Sequence, residues 1–175
     1  GPSWATGKLG NALSFDGVDD QVRVSNATIL SNLTNVTVSS WVNVRSGGGA
    51  GTGNGRIFAK GSSGSSRFTL LVGADNNSAQ FHAGYSGGSG CWKTPTNSLP
   101  RNSWHQVVVS YVHNNPANTP IIYIDGVAQT VTTVCTPSGT ATADDLTFYI
   151  GSRGTDNTKV FDGLIDQVRV YNRIL

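Results

Sequence analysis

Hydrophobic and polar residues alternate with a period of two along the apolar segments of this chain. Between residues 36 and 44, Val36, Val38 and Ser40 alternate with Thr37, Ser39 and Trp41. This period places successive side chains on opposite faces of a β-strand. No window of a dozen residues carries apolar positions at helical spacing, so the pattern predicts an all-β protein.

Turn residues divide the alternating segments into a dozen or so short strands. This spacing predicts an antiparallel two-sheet β-sandwich. Asp125-Gly126 predicts a type I′ hairpin turn, which needs positive φ at both centre residues. The apolar run Val107 to Val109 predicts a central strand that is buried on both faces. The predicted strands cover residues 9–15, 21–24, 36–44, 56–60, 67–72, 79–85, 104–112, 121–124, 127–131, 146–150 and 164–171.

Two ten-residue segments near the ends of the chain are almost identical. Residues 15–24 and 161–170 differ only at their fourth and fifth positions. Each begins with an Asp-Gly turn and ends in an alternating Gln-Val-Arg-Val strand. Since nothing between the two copies repeats, a solenoid is excluded. We expect two terminal strands that lie side by side and close the domain.

Length and charge limit the classes of protein that this chain can represent. At 175 residues it fits one domain with a real core. Gly1-Pro2 resembles a protease-cleavage scar, so we expect the domain to span residues 3–175. A net charge of +2 with scattered Lys and Arg gives no reason to expect a nucleic-acid partner. No apolar run approaches the length of a membrane span, so we expect no membrane insertion.

Cys91 and Cys135 both lie in polar, turn-rich sequence. A disulfide between them would stabilise the fold by constraining a long loop of the unfolded chain. The alternative is a pair of free thiols, which is unusual for exposed cysteines beside Gly and Ser. A bridge implies an oxidising compartment, and we therefore expect a secreted or cell-surface protein.

Five segments occur in an order that resembles a laminin-G-like jelly roll of the concanavalin A-like lectin and glucanase superfamily. The resemblance covers almost the whole chain and implies a jelly-roll sandwich. It implies much less about function, because this superfamily includes lectins, carbohydrate-binding modules, adhesion domains and hydrolases. The five segments are residues 10–17, 36–42, 103–109, 123–126 and 161–171.

The resemblance also raises the question of whether this protein has the catalytic residues of a hydrolase. Glucanases of this superfamily use a glutamate nucleophile and a glutamate acid, and this chain contains no glutamate. The adjacent Asp144 and Asp145 would face opposite sides of a strand, whereas a retaining glycosidase needs two carboxyl groups about 5 Å apart. His82, His105 and His113 have no evident nucleophile partner in the sequence. We therefore expect the protein not to be an enzyme.

A structural calcium ion is a further implication of the resemblance. Many members of the superfamily join their terminal strands through a metal held by carboxylate and backbone oxygens. The matching ligands here are Asp16 or Gly17 in the first turn and Asp166 in the last strand, with Asp20 as an additional ligand. Alternatively, these aspartates only cap turns by accepting bonds from backbone N–H groups.

The four tryptophans are candidates for stacking against sugar rings. Trp41 and Trp104 fall in strand motifs of the family and are expected in the core, while Trp4 is equally compatible with burial and exposure. Trp92 follows Cys91 in a Gly- and Ser-rich segment, where no periodicity requires burial, so we expect it to contact ligand from a loop. The other expected ligand-binding residues are Tyr85, His82, Arg67 and Asn76.

Together these features predict a non-catalytic carbohydrate-binding, lectin-like module of a larger secreted or cell-surface protein. Its partner would be a glycan or polysaccharide. The alternative is a protein-interaction or adhesion domain, or a structural spacer, that has the same fold and no sugar site.

Overall fold

The chain folds into two antiparallel β-sheets that pack face to face. The computed structural model describes residues 1–25, 28–48, 53–61, 67–74, 77–141, 147–154 and 159–175. Within these ranges one 3₁₀ turn, Thr28–Leu30, accompanies fourteen strands. The strands are β1 Ser3–Thr6, β2 Asn11–Asp16, β3 Val22–Val24, β4 Asn35–Val44, β5 Arg56–Lys60, β6 Phe68–Val72, β7 Ala79–Ala83, β8 Gly90–Lys93, β9 Trp104–Val112, β10 Ile121–Ile124, β11 Val127–Gln129, β12 Thr132–Cys135, β13 Phe148–Ile150 and β14 Asp162–Tyr171.

Each sheet contains seven strands. The first sheet has the order β1-β2-β14-β4-β9-β10-β11, and the second has the order β12-β8-β7-β6-β5-β13-β3. The predicted all-β, antiparallel two-sheet sandwich is confirmed. The strand predicted to be central, β9, pairs on both sides with β4 and β10. The middle position itself belongs to β4.

The core lies between the two sheets and follows the alternation of the sequence. Val38 and Val42 of β4 and Val107 of β9 point inward from the first sheet, and Leu70 and Phe81 point inward from the second. All five are at most 3% exposed. Because each fully buried aliphatic or aromatic side chain contributes about 1.5–3 kcal/mol, the period-two pattern fixes which face of each strand is buried.

Two local predictions are confirmed. Asp125 and Gly126 have φ values of 51° and 79°, as a type I′ turn between β10 and β11 requires. Cys91 and Cys135 form a disulfide that joins β8 to β12, the edge strand of the second sheet. Among the described residues no helix is long and apolar enough to cross a membrane.

The two near-identical segments do not form a pair of adjacent strands along their whole length. Their first residues are neighbours, because Phe15 pairs with Gly163 and Asp16 pairs with Asp162. After the Asp-Gly turn the first copy crosses to the second sheet, where Val22–Val24 pairs with β13. The second copy stays in the first sheet between β2 and β4. The expectation of two side-by-side strands is therefore wrong for the two Gln-Val-Arg-Val sequences, residues 21–24 and 167–170, which lie in different sheets.

Candidate functional site

Trp4 is the exposed tryptophan of this protein. Its side chain is 75% exposed, and its strand β1 forms the edge of the first sheet. Trp41 and Trp104 are only half-buried, on the outer face of the first sheet, although the sequence placed them in the core. The Lys8 ammonium lies 5.0 Å from the centre of the Trp41 ring, an arrangement typical of a cation–π contact.

A cleft of about 240 Å³ lies beside Trp4, at the edge where the two sheets separate. Leu13 and Ile165 of the first sheet line it, and Ile150 of β13 contributes from the second sheet. Trp4 pairs with Leu13, and Leu13 pairs with Ile165. These three side chains therefore share the inward face of the sheet and form an apolar floor that ends in the exposed indole.

Two residues with amide side chains, Asn11 and Gln167, are among those that line this cleft. Gln167 lies in a β-bulge, where the register of β14 against β4 shifts between Asp166 and Arg169. Its φ of 51° is unusual for a residue other than glycine. Bulges of this kind redirect side chains and are common beside binding sites. The guanidinium of Arg169 donates a 2.8 Å hydrogen bond to Gln167 Oε1.

Trp92 does not lie in a loop, and the expectation that it contacts ligand is wrong. It belongs to β8, pairs with Phe81 and is 1% exposed. Its ring packs against Phe81 and Tyr111, with centroids 6.4 and 5.4 Å away. Cys91 precedes Trp92 in the strand and therefore points to the opposite face, where the disulfide forms. An indole that is fully buried in this way cannot stack on a sugar.

Tyr85 and Arg67, two other expected ligand contacts, are also buried. Tyr85 is 7% exposed, and its hydroxyl lies 2.6 Å from the Tyr111 hydroxyl and 3.1 Å from the carbonyl of Asn115. Burial raises the pKa of Tyr85 above its ordinary value. Arg67 is 4% exposed and donates to the Leu33 carbonyl. Both side chains contribute to packing. Asn76, another expected ligand contact, lies outside the described residues.

His82, by contrast, faces outward from the second sheet and is half-buried. It pairs with Cys91 across β7 and β8, beside a second pair formed by Gln80 and Lys93. Burial, followed by the positive charges of Arg56 and Arg153, lowers the pKa of His82 to about 4. At neutral pH this imidazole is therefore uncharged and has one nitrogen that donates and one that accepts.

Two of the expected metal ligands, Asp16 and Asp20, lie close together in the first turn, and Asp19, which was not expected as a ligand, lies beside them. Carboxylate oxygens of Asp16, Asp19 and Asp20 all lie within 4.8 Å of one another, and Gly17 adopts a φ of 78° in the same turn. Asp16 Oδ1 accepts a 2.8 Å bond from the Val18 N–H, which holds the pKa of this carboxyl below its usual value. Asp20 Oδ2 accepts a 2.9 Å bond from the Asp16 N–H. An all-oxygen donor set of this kind fits calcium.

Asp166 does not belong to this cluster. The expectation that one metal site combines Asp166 with Asp16, Gly17 and Asp20 is therefore wrong. Asp162, not Asp166, is the partner of Asp16. Asp166 lies four positions further along the strand than Asp162, so the two backbone positions are about 13 Å apart. The Asp166 carboxylate is 5% exposed and accepts a 2.9 Å hydrogen bond from the Leu9 N–H. Its observed role is to hold the turn between β1 and β2.

His105 has partners that the sequence did not reveal. Its Nε2 lies 2.8 Å from Ser103 Oγ, and its Nδ1 lies 2.7 Å from Asp125 Oδ2. The same carboxylate accepts a 2.8 Å bond from the Gln106 N–H through Oδ1. The expectation of no nucleophile partner is therefore wrong for His105. These bonds tie the start of β9 to the β10–β11 turn, and none of the three side chains lines the Trp4 cleft.

The chain as a whole can be compared with known protein families. A family model named Laminin_G_3, described as Concanavalin A-like lectin/glucanases superfamily, matches residues 16–175. The chain belongs to this family. The resemblance inferred from the five sequence motifs is thereby confirmed. No curated protein significantly matches this Laminin_G_3 domain in sequence.

Solved structures with the same fold include several binding domains. The binding domain of Paraclostridial Mosquitocidal Protein 1 has a TM-score of 0.71 and 14% identity; the match covers 100% of this Laminin_G_3 domain but only 43% of that chain. The CBM40 of a Ruminococcus gnavus IT-sialidase, bound to α2,3-sialyllactose, has a TM-score of 0.69 and 12% identity, covering 94% and 91%. Domains LG4-5 of the mouse laminin α1 chain have a TM-score of 0.65 and 14% identity, covering 94% and 43%.

Of the residues that line the cleft, only Asp166 is predicted from the sequence to belong to a site, as a metal ligand. Trp4 lies in a four-residue strand, which is too short for the alternation to be recognised. Gln167 lies within a strand that alternates normally in sequence, and its bulge becomes visible only in the pairing with β4.

Proposed function

We propose that this Laminin_G_3 domain is a non-catalytic carbohydrate-binding module and that the cleft beside Trp4 holds the sugar. The observation that carries the proposal is an indole that is 75% exposed at the rim of a cleft. A pyranose ring packs its C–H face on an aromatic ring, while nearby amides bond its hydroxyls. Asn11 lines the cleft and would supply such an amide.

The dimensions of the cleft favour a short, weakly bound ligand. A volume of about 240 Å³ is smaller than the roughly 300–1,000 Å³ of drug-sized pockets. The cleft is also open to solvent at the sheet edge, so desolvation of the polar groups offsets much of the hydrogen bonding. We expect dissociation constants in the roughly micromolar to millimolar range.

Two further observations support the proposal. The fold likeness supports carbohydrate binding, and the disulfide supports a secreted or cell-surface location. The Ruminococcus gnavus CBM40, which shares this fold at 12% identity, was solved with α2,3-sialyllactose bound. The Cys91–Cys135 bridge fits an oxidising compartment. We propose a secreted or cell-surface location for the protein that carries this domain.

The test is a glycan-array screen of three proteins: the wild type, Trp4→Ala and a matched control, Val127→Ala. Val127 is 64% exposed on β11, at the opposite edge of the same sheet. Binding of the wild type and the control to one coherent class of sugar, with loss for Trp4→Ala, supports the proposal. If Trp4→Ala still binds the same class of sugar, the protein binds carbohydrate at a place other than the Trp4 cleft. If none of the three proteins binds any sugar on a broad array, the adhesion or spacer function is favoured.

We also propose that the turn of Asp16, Asp19 and Asp20 binds a structural calcium ion. Calcium takes six to eight oxygen ligands, and the three carboxylates lie within 4.8 Å of one another. When bound, the ion would stabilise the turn that leads from the first sheet to the second. Addition of calcium to EDTA-treated protein should raise the melting temperature, and Asp19→Asn should reduce that increase. An unchanged melting temperature would refute this part of the proposal.

A further inference from the structure

A second cavity, a groove of about 560 Å³, lies on the outer face of the first sheet. It includes Ser110 of β9, which follows the inward-facing Val109 and therefore points away from the core. None of the described residues that line the groove carries a charge, so the groove favours a neutral ligand. The lining residues include Ser110, Asn114, Asn118, Thr119, Ile121 and Ile174.

Two aliphatic side chains, Ile121 and Ile174, give the groove an apolar part. They are 46% and 42% exposed. Ile121 lies directly opposite Ser110 in the pairing of β10 with β9. Ile174 lies near Ser110 as well, because the backbones of both residues that flank Ile174 bond to Thr37 Oγ1. That oxygen is 2.9 Å from Ser110 Oγ. A small alkyl group of a ligand would lose contact with water against these two side chains.

Asn114 and Asn118 form a fixed pair of amides in the loop that joins β9 to β10. Asn118 Nδ2 donates a 2.9 Å bond to the Val112 carbonyl and a 3.0 Å bond to Asn114 Oδ1. These bonds fix the orientation of both amides, because only the amide nitrogen donates to a carbonyl oxygen. Within the described ranges, no other hydrogen bond engages Asn118 Oδ1 or Asn114 Nδ2. The pair thus offers a ligand one acceptor and one donor.

We propose that this groove binds the acetamido group of an N-acetylated sugar. The acetamido carbonyl would accept a bond from Asn114 Nδ2, and a neighbouring ring hydroxyl would donate to Asn118 Oδ1. The methyl group would pack against Ile121 and Ile174, which a hydroxyl at the same position cannot do. The inference rests on the proposed carbohydrate-binding function but not on the Trp4 cleft, because the two cavities share no lining residue.

The experiment compares two disaccharides that differ in the acetamido groups. Binding is measured by NMR titration with N,N′-diacetylchitobiose and with cellobiose, which has hydroxyls in place of the acetamido groups. Asn114→Asp keeps Oδ1 as the acceptor for Asn118 and replaces the donor by a carboxylate oxygen. We expect it to bind diacetylchitobiose roughly five-fold more weakly, the effect of about 1 kcal/mol. The matched control is Asn97→Asp, which adds the same charge at another exposed residue whose Oδ1 accepts a bond from an asparagine, Asn77.

A second variant, Ile121→Thr, tests the apolar part of the groove. Both side chains are β-branched and suit a strand, so the change removes apolar surface and keeps the backbone preference. We expect binding of diacetylchitobiose to weaken by roughly three-fold. Val127→Thr is the control, since Val127 is 64% exposed on the adjacent strand β11 and lies outside the groove.

Support for the inference has three parts. Diacetylchitobiose shifts the side-chain amide signals of Asn114 and Asn118 and cellobiose does not, both groove variants bind more weakly, and both controls bind like the wild type. Equal affinity for the two disaccharides, including no binding of either, would overturn the inference, as would wild-type affinity in both groove variants. If N-acetylalanine amide binds the groove as tightly as the disaccharide does, the groove recognises an acylated peptide and the assignment to a sugar is wrong.

The same titration separates this inference from the proposed cleft. Shifts confined to the Trp4 indole signal would place the disaccharide in the cleft, which would overturn the groove site and keep the proposed function. Shifts at Asn114 and Asn118 that persist in Trp4→Ala, with no shift of the Trp4 indole in the wild type, would support the groove and count against the cleft.

Discussion

Asp166 Oδ2 accepts a 2.9 Å hydrogen bond from the backbone N–H of Leu9, which lies 157 residues earlier in the chain. The carboxylate is buried beside Gly7, where an added Cβ would lie only 2.7 Å from Asp166 Oδ2. The final strand thus fixes the first turn of the chain through one side chain. This contact gives Asp166 a structural role that requires no metal.

We expect Asp166→Ala to destabilise the fold by roughly 1–3 kcal/mol, because the Leu9 N–H loses its acceptor in a partly buried position. Urea unfolding measures the difference in free energy. Asp162→Ala is the matched control on the same strand, since it removes only a solvent-exposed ion pair with Arg45 and should cost at most about 1 kcal/mol. Equal costs for the two variants would contradict the assigned role.

Gly90 makes room for the buried ring of Trp92. A Cβ at position 90 would lie 2.2 Å from Trp92 Cη2, a distance that forces the indole to move. Gly90→Ala should therefore destabilise the protein by roughly 1–3 kcal/mol through overpacking. Thermal unfolding and the tryptophan emission spectrum measure the effect, with the exposed neighbour Ser89→Ala as control. If Gly90→Ala is as stable as Ser89→Ala, the core tolerates the displaced Trp92 ring.

Strand Gly90–Lys93 also shows why part of the site could not be predicted. Its four residues lie among Gly and Ser, so the local sequence favours a loop. Tertiary pairing with β7 and β12 overrides that preference. Once the segment is a strand, alternation requires Cys91 and Trp92 to face opposite sides. The disulfide could be predicted from the sequence, whereas the orientation of the adjacent indole depended on the pairing.

Longer strands were predictable because their own residues define the buried face. Residues 104–112 and 56–60 match β9 and β5 at both ends. The repeated Gln-Val-Arg-Val segments show the limit of this reasoning. Val22 and Val168 have the same neighbours in sequence, but one lies in the second sheet and the other in the first. Local alternation specifies a strand and leaves its partner undetermined.

The Cys91–Cys135 disulfide links strands that are 44 residues apart in sequence. In the chain-entropy model, closing a loop of this length stabilises the protein by about 4 kcal/mol relative to the reduced form. We expect reduction with dithiothreitol to lower the urea midpoint markedly, and Cys91→Ser/Cys135→Ser to reproduce the effect. If the reduced wild type unfolds at the same midpoint as the oxidised protein, the bridge does not contribute to stability.

His82 should make stability decrease as the solution becomes acidic. Its pKa is about 4 in the folded protein and about 6.5 in an unfolded chain. Above pH 6.5 both states carry a neutral imidazole, so this residue adds no pH dependence. Between pH 6.5 and 4 the unfolded state takes up the proton first, and the free energy of unfolding falls. The full loss approaches about 3 kcal/mol near pH 4.

His82→Gln isolates this effect, because it removes the titrating group and keeps a polar side chain on the same surface. The difference in unfolding free energy between variant and wild type should grow in favour of the variant as the pH decreases from 6.5 to 4. Gln80→Ala, a change on the same face without a titrating group, should show a difference that is constant with pH. A pH-independent difference for His82→Gln would mean that the imidazole is protonated as readily in the folded protein as in the unfolded chain. The positive field and burial inferred for this face would then be wrong.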